Sequence, residues 1–325
     1  MKRGVLLACL LAGCTTQSTT TSTPDRGGAV RVVAVDVGQG DCTLVVGTDG
    51  TVVLIDGGGL SSGAEVRAAV QRETGGRVDH VVVTHYDADH LAGVADFLLG
   101  PDRVDGTPDD GAPEAKLWDY GDDGTCSTQT CDRYRDARMG RGQTIPLGEV
   151  ISLGVAQLEC VAVNGRVADG SVVPPSDENS RSVSFILRHG TFTALLAGDL
   201  TGGGEGTADV ETPLARHTGP VSLLHVNHHG SKTSSNQGAL ALWAPRAAII
   251  SVGTDNSYCH PAQDVLDRVV EVGARVFATG GGMVNTDSRC TRTTDWPAGS
   301  RAGLGDVVVT AYSDGAFYVA DELVE

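Results

Sequence analysis

A short apolar segment at residues 79–84 runs directly into a cluster of histidine and aspartate residues, and this junction constrains the fold more than any other part of the chain. The segment has the length and composition of a buried strand, and residues 91–99 behind it place their apolar side chains on one face of a helix. Four candidate metal ligands lie between the two elements: His85, Asp87, Asp89 and His90. Without a cation the clustered carboxylates would repel each other. The sequence therefore predicts a metal site in a loop that joins a buried strand to a helix.

Strand-like and helix-like segments alternate on both sides of this loop, and polar residues collect where the strands end. We predict strands at 29–35, 42–46, 51–55, 79–84, 183–188, 192–197, 221–226, 247–252, 307–311 and 316–319. We predict helices at 62–73, 91–99 and 237–242, and one that begins at Pro261. This alternation predicts an α/β fold with two packed sheets and helices outside, a four-layered αββα sandwich with its site at the strand ends.

The composition limits the functions open to the chain. Hydrophobic residues make up 40% of the 325 residues, and aromatic residues only 4%, so the core must consist mainly of Val, Leu, Ile and Ala. No run of about 18 apolar residues occurs, which excludes a polytopic membrane protein. The formal net charge of −17 excludes a generic basic nucleic-acid-binding domain. It does not exclude a nuclease, because bound cations supply a local positive field.

The N-terminus has the pattern of a bacterial lipoprotein signal. Lys2 and Arg3 precede a short apolar stretch at residues 4–10, and Leu-Ala-Gly-Cys follows, ending at Cys14. We predict a signal peptide at residues 1–13, lipidation of Cys14 and a Ser/Thr-rich tether at 14–28, which gives an exported lipoprotein of the cell envelope, at the outer membrane or cell surface. A plain signal peptide cut nearby is the alternative. Membrane association is expected through the lipid anchor alone, with no transmembrane helix.

Export favours disulfide bonds over thiolate metal sites for the remaining cysteines. Cys126 and Cys131 are close enough in one loop to form a pair, whereas sequence does not decide the other pairings. Both lie in an Asp- and Gly-rich stretch at about 100–142, which we interpret as an acidic surface insertion. Its spacing is not that of an EF-hand, so a solvated loop is favoured over a calcium site.

Together with the histidine–aspartate loop, five further motifs resemble the metallo-β-lactamase superfamily, and most closely the hydrolase domain of ComEC-type competence proteins. The superfamily pattern His-x-His-x-Asp-His reads here as His85-x-Asp87-x-Asp89-His90, and the Asp in second place resembles the competence-protein form. The other motifs lie at residues 37–41, 54–58, 196–199, 228–231 and 260–261. The resemblance covers roughly residues 30–284, and we predict that residues 29–325 form one hydrolase domain.

The resemblance also implies a set of metal ligands for two divalent ions. The first ion would be held by His85 and Asp87, and the second by Asp89, His90 and His228. Asp199 would bridge the two ions, and Asp56 would brace the loop without binding metal. The middle motif, which carries a His in most of the superfamily, has none at residues 178–182. Candidate substrate-binding residues are Asn179, Ser231 and Lys232.

Carboxylates and imidazoles without thiolate form a hard site that accepts zinc or manganese, with magnesium as a third candidate, and such ions pair with phosphate oxygens. Two metals can hold an attacking hydroxide and stabilise the leaving oxygen of a phosphodiester. Candidate catalytic residues are Asp89, His229 and His260. For His229 the alternative is a hydrogen bond to backbone that only orients the site.

These features favour an exported metal-dependent phosphodiesterase or nuclease that acts on DNA or related phosphodiesters. A hydrolase of lactams, lactones or thioesters on the same fold is the alternative, although Asp87 and the missing middle His oppose it. A non-catalytic surface binding protein is a more remote alternative, because the candidate ligands are all present.

Overall fold

Two β-sheets packed against each other form the central layers of the protein, in a computed structural model that describes residues 28–104, 106–138, 140–254, 256–283, 290 and 293–325. The predicted signal peptide, Cys14 and all of the predicted tether except residue 28 lie outside the described residues. None of the helices in the described ranges has the length and apolar character needed to cross a membrane.

The strands and helices of these layers are short. The strands are β1 Val30–Ala34, β2 Thr43–Val46, β3 Val52–Ile55, β4 His80–Val82, β5 Lys116–Asp119, β6 Gly142–Thr144, β7 Val150–Leu153, β8 Ala156–Val163, β9 Arg166–Val167, β10 Ser184–His189, β11 Phe192–Leu196, β12 Leu223–His225, β13 Ala247–Ile250, β14 Arg275–Ala278, β15 Val307–Ala311, β16 Phe317–Val319 and β17 Glu322–Val324. The α-helices are α1 Gly63–Thr74, α2 Ala88–Leu98, α3 Gln129–Arg138, α4 Glu211–Thr218, α5 Gln237–Trp243 and α6 Gln263–Glu271.

Each sheet combines antiparallel and parallel pairing. In the described part of the chain the first sheet has the order β17-β16-β15-β1-β2-β3-β4-β5-β6, and β3 to β6 are parallel neighbours. The second has the order β14-β13-β12-β11-β10-β8-β7, with β9 paired to β8, and β11 to β14 are parallel neighbours. The carboxyl ends of parallel strands meet at one edge of a sheet, which is where ligands bind in such folds.

Two apolar cores fill the space between the layers. The first lies between the sheets and beneath α1 to α3, and includes Leu54, Leu91 and Phe185. The second lies between the second sheet and α4 to α6, and includes Leu240, Trp243 and Leu266. The predicted four-layered α/β sandwich is confirmed.

Composition predicts an acidic surface insertion at residues 100–142, but the structure builds part of this stretch into the first sheet. Strand β5 pairs with β4 and β6 pairs with β5, both in parallel. Leu117 and Trp118 of β5 are buried, and Tyr134 of α3 is buried with them. Strand β5 is only four residues long, has two apolar residues and lies among Asp and Gly residues, so the composition of this stretch resembles that of a loop.

The described cysteines form two disulfides. Cys126 is joined to Cys131, as the sequence predicts, and Cys259 is joined to Cys290, a pairing that the sequence left open. Cys42 and Cys160 are buried free thiols.

Candidate metal centre

The histidine–aspartate loop connects the end of β4 to the start of α2. Asp87 precedes the helix as its N-cap residue, and Asp89 and His90 lie in its first turn. His85 comes earlier in the loop and is fully buried, whereas the side chain of Asp87 is 46% exposed. The sequence predicts all four residues in the loop, but α2 begins earlier than predicted and includes Asp89 and His90. The loop and the first turn of α2 together bring the two histidines inside and leave Asp87 at the rim.

Asp56, directly after β3, braces this loop from outside. Its Oδ1 accepts a hydrogen bond from the backbone N–H of Thr84 (2.8 Å), and its Oδ2 accepts from the Thr84 hydroxyl (2.6 Å). Oδ2 also lies 2.8 Å from Nδ1 of His90. These bonds turn Nε2 of His90 toward the centre, the arrangement by which outer hydrogen bonds orient metal-ligating histidines.

The turn after β3 can lie this close to α2 because both surfaces carry glycine. The N–H of Gly93 donates to the carbonyl of Gly58 (3.0 Å), and the N–H of Gly57 donates to the carbonyl of His90 (2.8 Å). A Cβ atom added at Gly93 would lie 1.7 Å from the carbonyl oxygen of Gly57. A larger residue at position 93 would therefore push His90 away from its brace.

The carboxylate of Asp199, three residues after β11, lies among four imidazoles. Its Oδ2 lies 3.3 Å from Nε2 of His90, 3.6 Å from Nε2 of His229, 3.6 Å from Nε2 of His228 and 3.8 Å from Nε2 of His85. Asp199 is 2% exposed. A buried carboxylate at this position can contact cations on more than one side.

His228 and His229 come from a 3-10 turn at Asn227–Gly230, where both have left-handed backbone angles with φ of 52°. Nδ1 of His228 lies 2.8 Å from the hydroxyl of Thr233, and Nδ1 of His229 donates to the carbonyl of Ser251 (2.9 Å). Non-glycine residues in this conformation are strained and concentrate at functional sites. The strained turn directs both side chains toward Asp199.

Three groups of side chains in the described residues have ligand atoms within 4.8 Å of one another: His85, His90 and Asp199; Asp89, His90 and His229; and Asp41, Asp199 and His229. The second group contains His229, whereas the sequence predicts His228 as the ligand beside Asp89 and His90. Nε2 of His229 lies 3.4 Å from Oδ2 of Asp89. His228 contacts Asp199 at the edge of the cluster, with 17% of its side chain exposed.

Asp41 joins the cluster although the sequence did not identify it as a ligand. It is the last residue of the motif at residues 37–41, and that motif is the sequence feature by which Asp41 could be recognised as a candidate ligand. Its Oδ1 lies 3.4 Å from Nε2 of His225 and 4.0 Å from Nδ1 of His229. Asp87, by contrast, belongs to none of the three groups, although its Oδ2 lies 3.6 Å from Nε2 of His85.

The buried atoms that converge here fit a divalent cation. Nε2 of His85, His90 and His229 and Oδ1 of Asp41 and Asp199 are buried and lack a hydrogen-bond partner. Each of the three histidines has a polar neighbour at Nδ1, which leaves its Nε2 for another ligand. Unpaired buried polar atoms are rare in folded proteins, and these five belong to members of the three ligand groups, as expected for the donor set of a metal centre.

The charges of the cluster are strongly coupled. Burial would raise the pKa of Asp199, but the neighbouring His90 and His229 hold it well below its usual range. Burial opposes protonation of His90, yet Asp199 and Asp56 raise its pKa well above the usual value. His229 is likewise buried, and Asp199 together with Asp89 raises its pKa to about 9. The carboxylates thus attract positive charge, which protons or metal ions can supply.

His260 lies beside the cluster. Its ring centroid is 5.4 Å from that of His228 and 6.0 Å from that of His229. Burial, together with the nearby His229 and His228, lowers the pKa of His260 to about 3, so its imidazole is neutral at physiological pH. A Cβ atom added at Gly230 would lie 2.7 Å from Cβ of Pro261, so glycine is needed for the 3-10 turn to approach His260.

Two cavities open beside these residues. One has a volume of about 670 Å³ and is lined by residues that include Ser231, Lys232 and His260. The other has a volume of about 570 Å³ and is lined by residues that include Asp87 and Arg181. Three of the predicted catalytic and substrate-binding residues therefore line one cavity.

Asn179, the third candidate for substrate binding, is linked to the cluster through Ser182. It begins the 3-10 turn Asn179–Arg181, and its carbonyl accepts a hydrogen bond from the Ser182 hydroxyl (2.8 Å). That hydroxyl lies 3.5 Å from Nδ1 of His85. The buried Oδ1 of Asn179 has no hydrogen-bond partner.

Comparison with known proteins shows to which family the chain belongs. Residues 35–254 match the family model described as the metallo-β-lactamase superfamily. ComE operon protein 3 of Bacillus subtilis is 27% identical over 75% of this chain and 31% of its own length. Recombination protein 2 of Haemophilus influenzae is 29% identical over 74% of this chain and 26% of its own length. Competence protein ComA of Neisseria gonorrhoeae is 32% identical over 32% of this chain and 14% of its own length.

The chain spans less than a third of the length of each of these relatives. The family model, however, matches well over half of this chain, and the matched region contains the β4–α2 loop, Asp199 and both histidines of the 3-10 turn. The chain belongs to the metallo-β-lactamase superfamily.

Proposed function

We propose that the protein is a metal-dependent phosphodiesterase that acts on nucleic acid or related phosphodiesters outside the cytoplasm. Family membership and the histidine–aspartate cluster support a metallo-hydrolase. The observation that carries the finer proposal is the donor set, because the three ligand groups contain imidazoles and carboxylates and no thiolate. Such a set suits zinc or manganese, and magnesium less readily, in contact with phosphate oxygens.

In this proposal the cluster would hold two divalent ions, and Asp199 would serve both. His85 would serve the first ion together with Asp87 at the rim. Asp89, His90 and His229 would serve the second, since Nε2 of His229 and Oδ2 of Asp89 are 3.4 Å apart. When bound, such ions supply a hydroxide nucleophile at neutral pH and offset the charge that develops on a phosphodiester.

The predicted ligand His228 has a different role in this scheme. Its Nε2 faces Asp199 at 3.6 Å, but it belongs to none of the three ligand groups. Its ring also lies 5.4 Å from that of His260. We propose that His228 lies next to the ligands of the second ion and contributes little to holding it.

The chain's own residues would orient the phosphodiester in the 670 Å³ cavity. His260 is neutral and can donate one N–H to a phosphate or leaving-group oxygen. Lys232 is exposed and is one of only three lysines in a chain of net charge −17. It places a positive charge where a polyanion must approach, and Ser231 beside it offers a hydroxyl.

The relatives and the N-terminus extend the proposal to substrate and location. The names of the relatives refer to recombination and competence, and we propose that DNA is a substrate here too. The lipoprotein pattern ending at Cys14 favours an anchored enzyme of the cell envelope. The Ser/Thr-rich tether would keep the domain clear of the membrane.

The test uses purified protein that has been stripped with a chelator and reloaded separately with manganese, zinc or magnesium. Each form is assayed on single-stranded DNA, on bis(4-nitrophenyl) phosphate and on a chromogenic cephalosporin. We expect metal-dependent hydrolysis of both phosphodiesters and none of the cephalosporin. The Asp199→Asn variant, loaded in the same way, controls for a contaminating nuclease.

Two other results would contradict the proposal. Cleavage of the cephalosporin without cleavage of either phosphodiester would favour the lactam, lactone or thioester hydrolase. No turnover of any substrate with any metal would favour a non-catalytic binding protein.

A further inference from the structure

A row of three aromatic rings leads from the metal centre to the protein surface. The ring of His260 lies 6.0 Å from that of His229 with an angle of 27° between the planes, and the ring of Tyr258 lies 5.9 Å from that of His260 with an angle of 25°. His229 is 1% exposed, whereas Tyr258 is 63% exposed. The near-parallel planes thus continue from the buried cluster out to solvent.

Tyr258 lines the same 670 Å³ cavity as His260, Ser231 and Lys232. Scattered apolar side chains are common on protein surfaces and need no explanation. Tyr258 differs because its ring stacks on that of His260, beside the metal centre, and because it lies in a cavity that is also lined by the positively charged Lys232. The lining also includes Gln263, Thr294 and the carboxylates of Glu205 and Asp264, so the cavity is polar and unsuited to an acyl chain.

The segment that carries Tyr258 is held in place on both sides. Nδ2 of Asn256 donates to the carbonyl of His260 (2.7 Å), and the N–H of His260 donates to Oδ1 of Asn256 (3.0 Å). Cys259, between the two rings in sequence, is joined to Cys290. An aromatic ring on a braced segment loses little conformational entropy when a ligand stacks on it.

We propose that Tyr258, supported by His260, is a stacking platform for a nucleobase next to the phosphodiester that is cleaved, which makes single-stranded nucleic acid the substrate class. This inference rests on the proposed phosphodiesterase function. One face of Tyr258 is turned to His260, and the exposure of the side chain leaves room for a flat ring on the other. Bases stack on aromatic side chains without regard to sequence.

The charge of the protein favours the same class of substrate. Long duplexes are bound mainly by basic side chains that neutralise many phosphates, and in this chain 24 Lys and Arg are outnumbered by 41 Asp and Glu, which gives a net charge of −17. A single strand has unpaired bases, and stacking supplies affinity that does not depend on phosphate neutralisation. Lys232 then needs to contact only the phosphates nearest the cavity.

The kinetic test compares two esters with the same leaving group, thymidine 5′-(4-nitrophenyl phosphate) and methyl 4-nitrophenyl phosphate. Tyr258→Leu should lower kcat/KM for the thymidine ester about 10- to 100-fold more than for the methyl ester, the scale of base–aromatic stacking. Tyr258→Phe, which keeps the ring, should retain the wild-type preference. Tyr318→Leu, on β16 of the first sheet, is the matched control. Equal losses on both esters, or no loss on either, would overturn the inference.

A binding measurement separates this inference from the proposed function. The anisotropy of a labelled oligothymidylate is compared with that of an abasic oligonucleotide of equal length and charge. We expect the wild type to bind the oligothymidylate at least about 10-fold more tightly, and Tyr258→Leu to lose that preference. If the wild type cleaves neither ester, the phosphodiesterase proposal fails and the binding preference alone decides the platform. Equal binding of the two oligonucleotides by the wild type would overturn it.

Discussion

Asp56 fixes the orientation of His90 from outside the metal cluster. Oδ2 of Asp56 lies 2.8 Å from Nδ1 of His90, which leaves Nε2 of His90 facing Asp199 at 3.3 Å. The same carboxylate accepts hydrogen bonds from the backbone N–H and the hydroxyl of Thr84, which lies just after β4. One carboxylate thus positions both ends of the segment that carries most of the candidate ligands.

Replacing Asp56 with Asn should weaken metal binding about 10- to 100-fold, the usual effect of losing such an outer partner. The amide group must turn its NH₂ either toward the N–H of Thr84 or toward Nδ1 of His90, and both are donors in the native arrangement. Metal affinity measured by competition with a chelator gives the result. Asp132→Asn on the exposed face of α3 is the control, and an unchanged affinity in Asp56→Asn would show that the brace is dispensable.

His229 and His228 should differ in their effect on metal content. His229 is 1% exposed and faces both Asp89 and Asp199, whereas His228 is partly exposed and belongs to none of the ligand groups. We expect His229→Ala to lose metal and His228→Ala to retain most of it, as determined by elemental analysis of the purified variants. The reverse order would restore His228 as the ligand.

His260→Ala should keep nearly normal metal content but turn over a phosphodiester about 100-fold more slowly, the usual scale for a residue that assists proton transfer. The ring of His260 lies beside those of His228 and His229, and His260 belongs to none of the ligand groups. Steady-state kinetics and metal analysis on the same preparation test this. Loss of metal would make His260 a ligand instead.

The Cys126–Cys131 disulfide should stabilise the loop against which the metal-binding loop packs. Both sulfur atoms lie 3.9 Å from the carbonyl oxygen of Tyr86, the residue after His85. Replacing both cysteines with Ser should lower the free energy of unfolding by about 2 kcal/mol, because the bond restricts the conformational entropy of the unfolded chain and the loop that it closes is short. Denaturant unfolding measures the change. Peptide mapping under non-reducing conditions that finds both thiols free would refute the pairing.

Local patterns predicted most of the framework. The predicted strands at 42–46 and 51–55 around Asp49-Gly50 correspond to β2 and β3 within one residue at each end, because a hairpin depends on neighbouring residues alone. Strands β5 to β9, β14 and β17 and helices α3 and α4 were not predicted. For β5 the reason is that its stability comes from parallel pairing with β4, a contact between distant parts of the chain. No pattern within residues 116–119 shows that pairing.

In the candidate site, too, some residues could be predicted from local sequence and others could not. The loop from His85 to His90 is continuous in sequence, so its ligands could be predicted together. The choice between His228 and His229 depends on the left-handed backbone of their turn, which sequence does not specify for histidine. Asp41 enters the cluster because β1 and β2 pair within the first sheet and their connection approaches α2, where the N–H of residue 41 donates to the carbonyl of Asp89 (3.1 Å).

We propose that this cluster binds metal for phosphodiester hydrolysis, with Asp199 at its centre, and the metal content and activity of the Asp199→Ala variant test both parts of this proposal together. Asp199 contacts four imidazoles and belongs to two of the three ligand groups, so its loss should affect both ions. We predict that the variant, folded as judged by circular dichroism, loses metal from both positions and hydrolyses bis(4-nitrophenyl) phosphate several orders of magnitude more slowly than the wild type. Full metal occupancy with near-wild-type hydrolysis in Asp199→Ala would show that Asp199 is neither a metal ligand nor needed for hydrolysis.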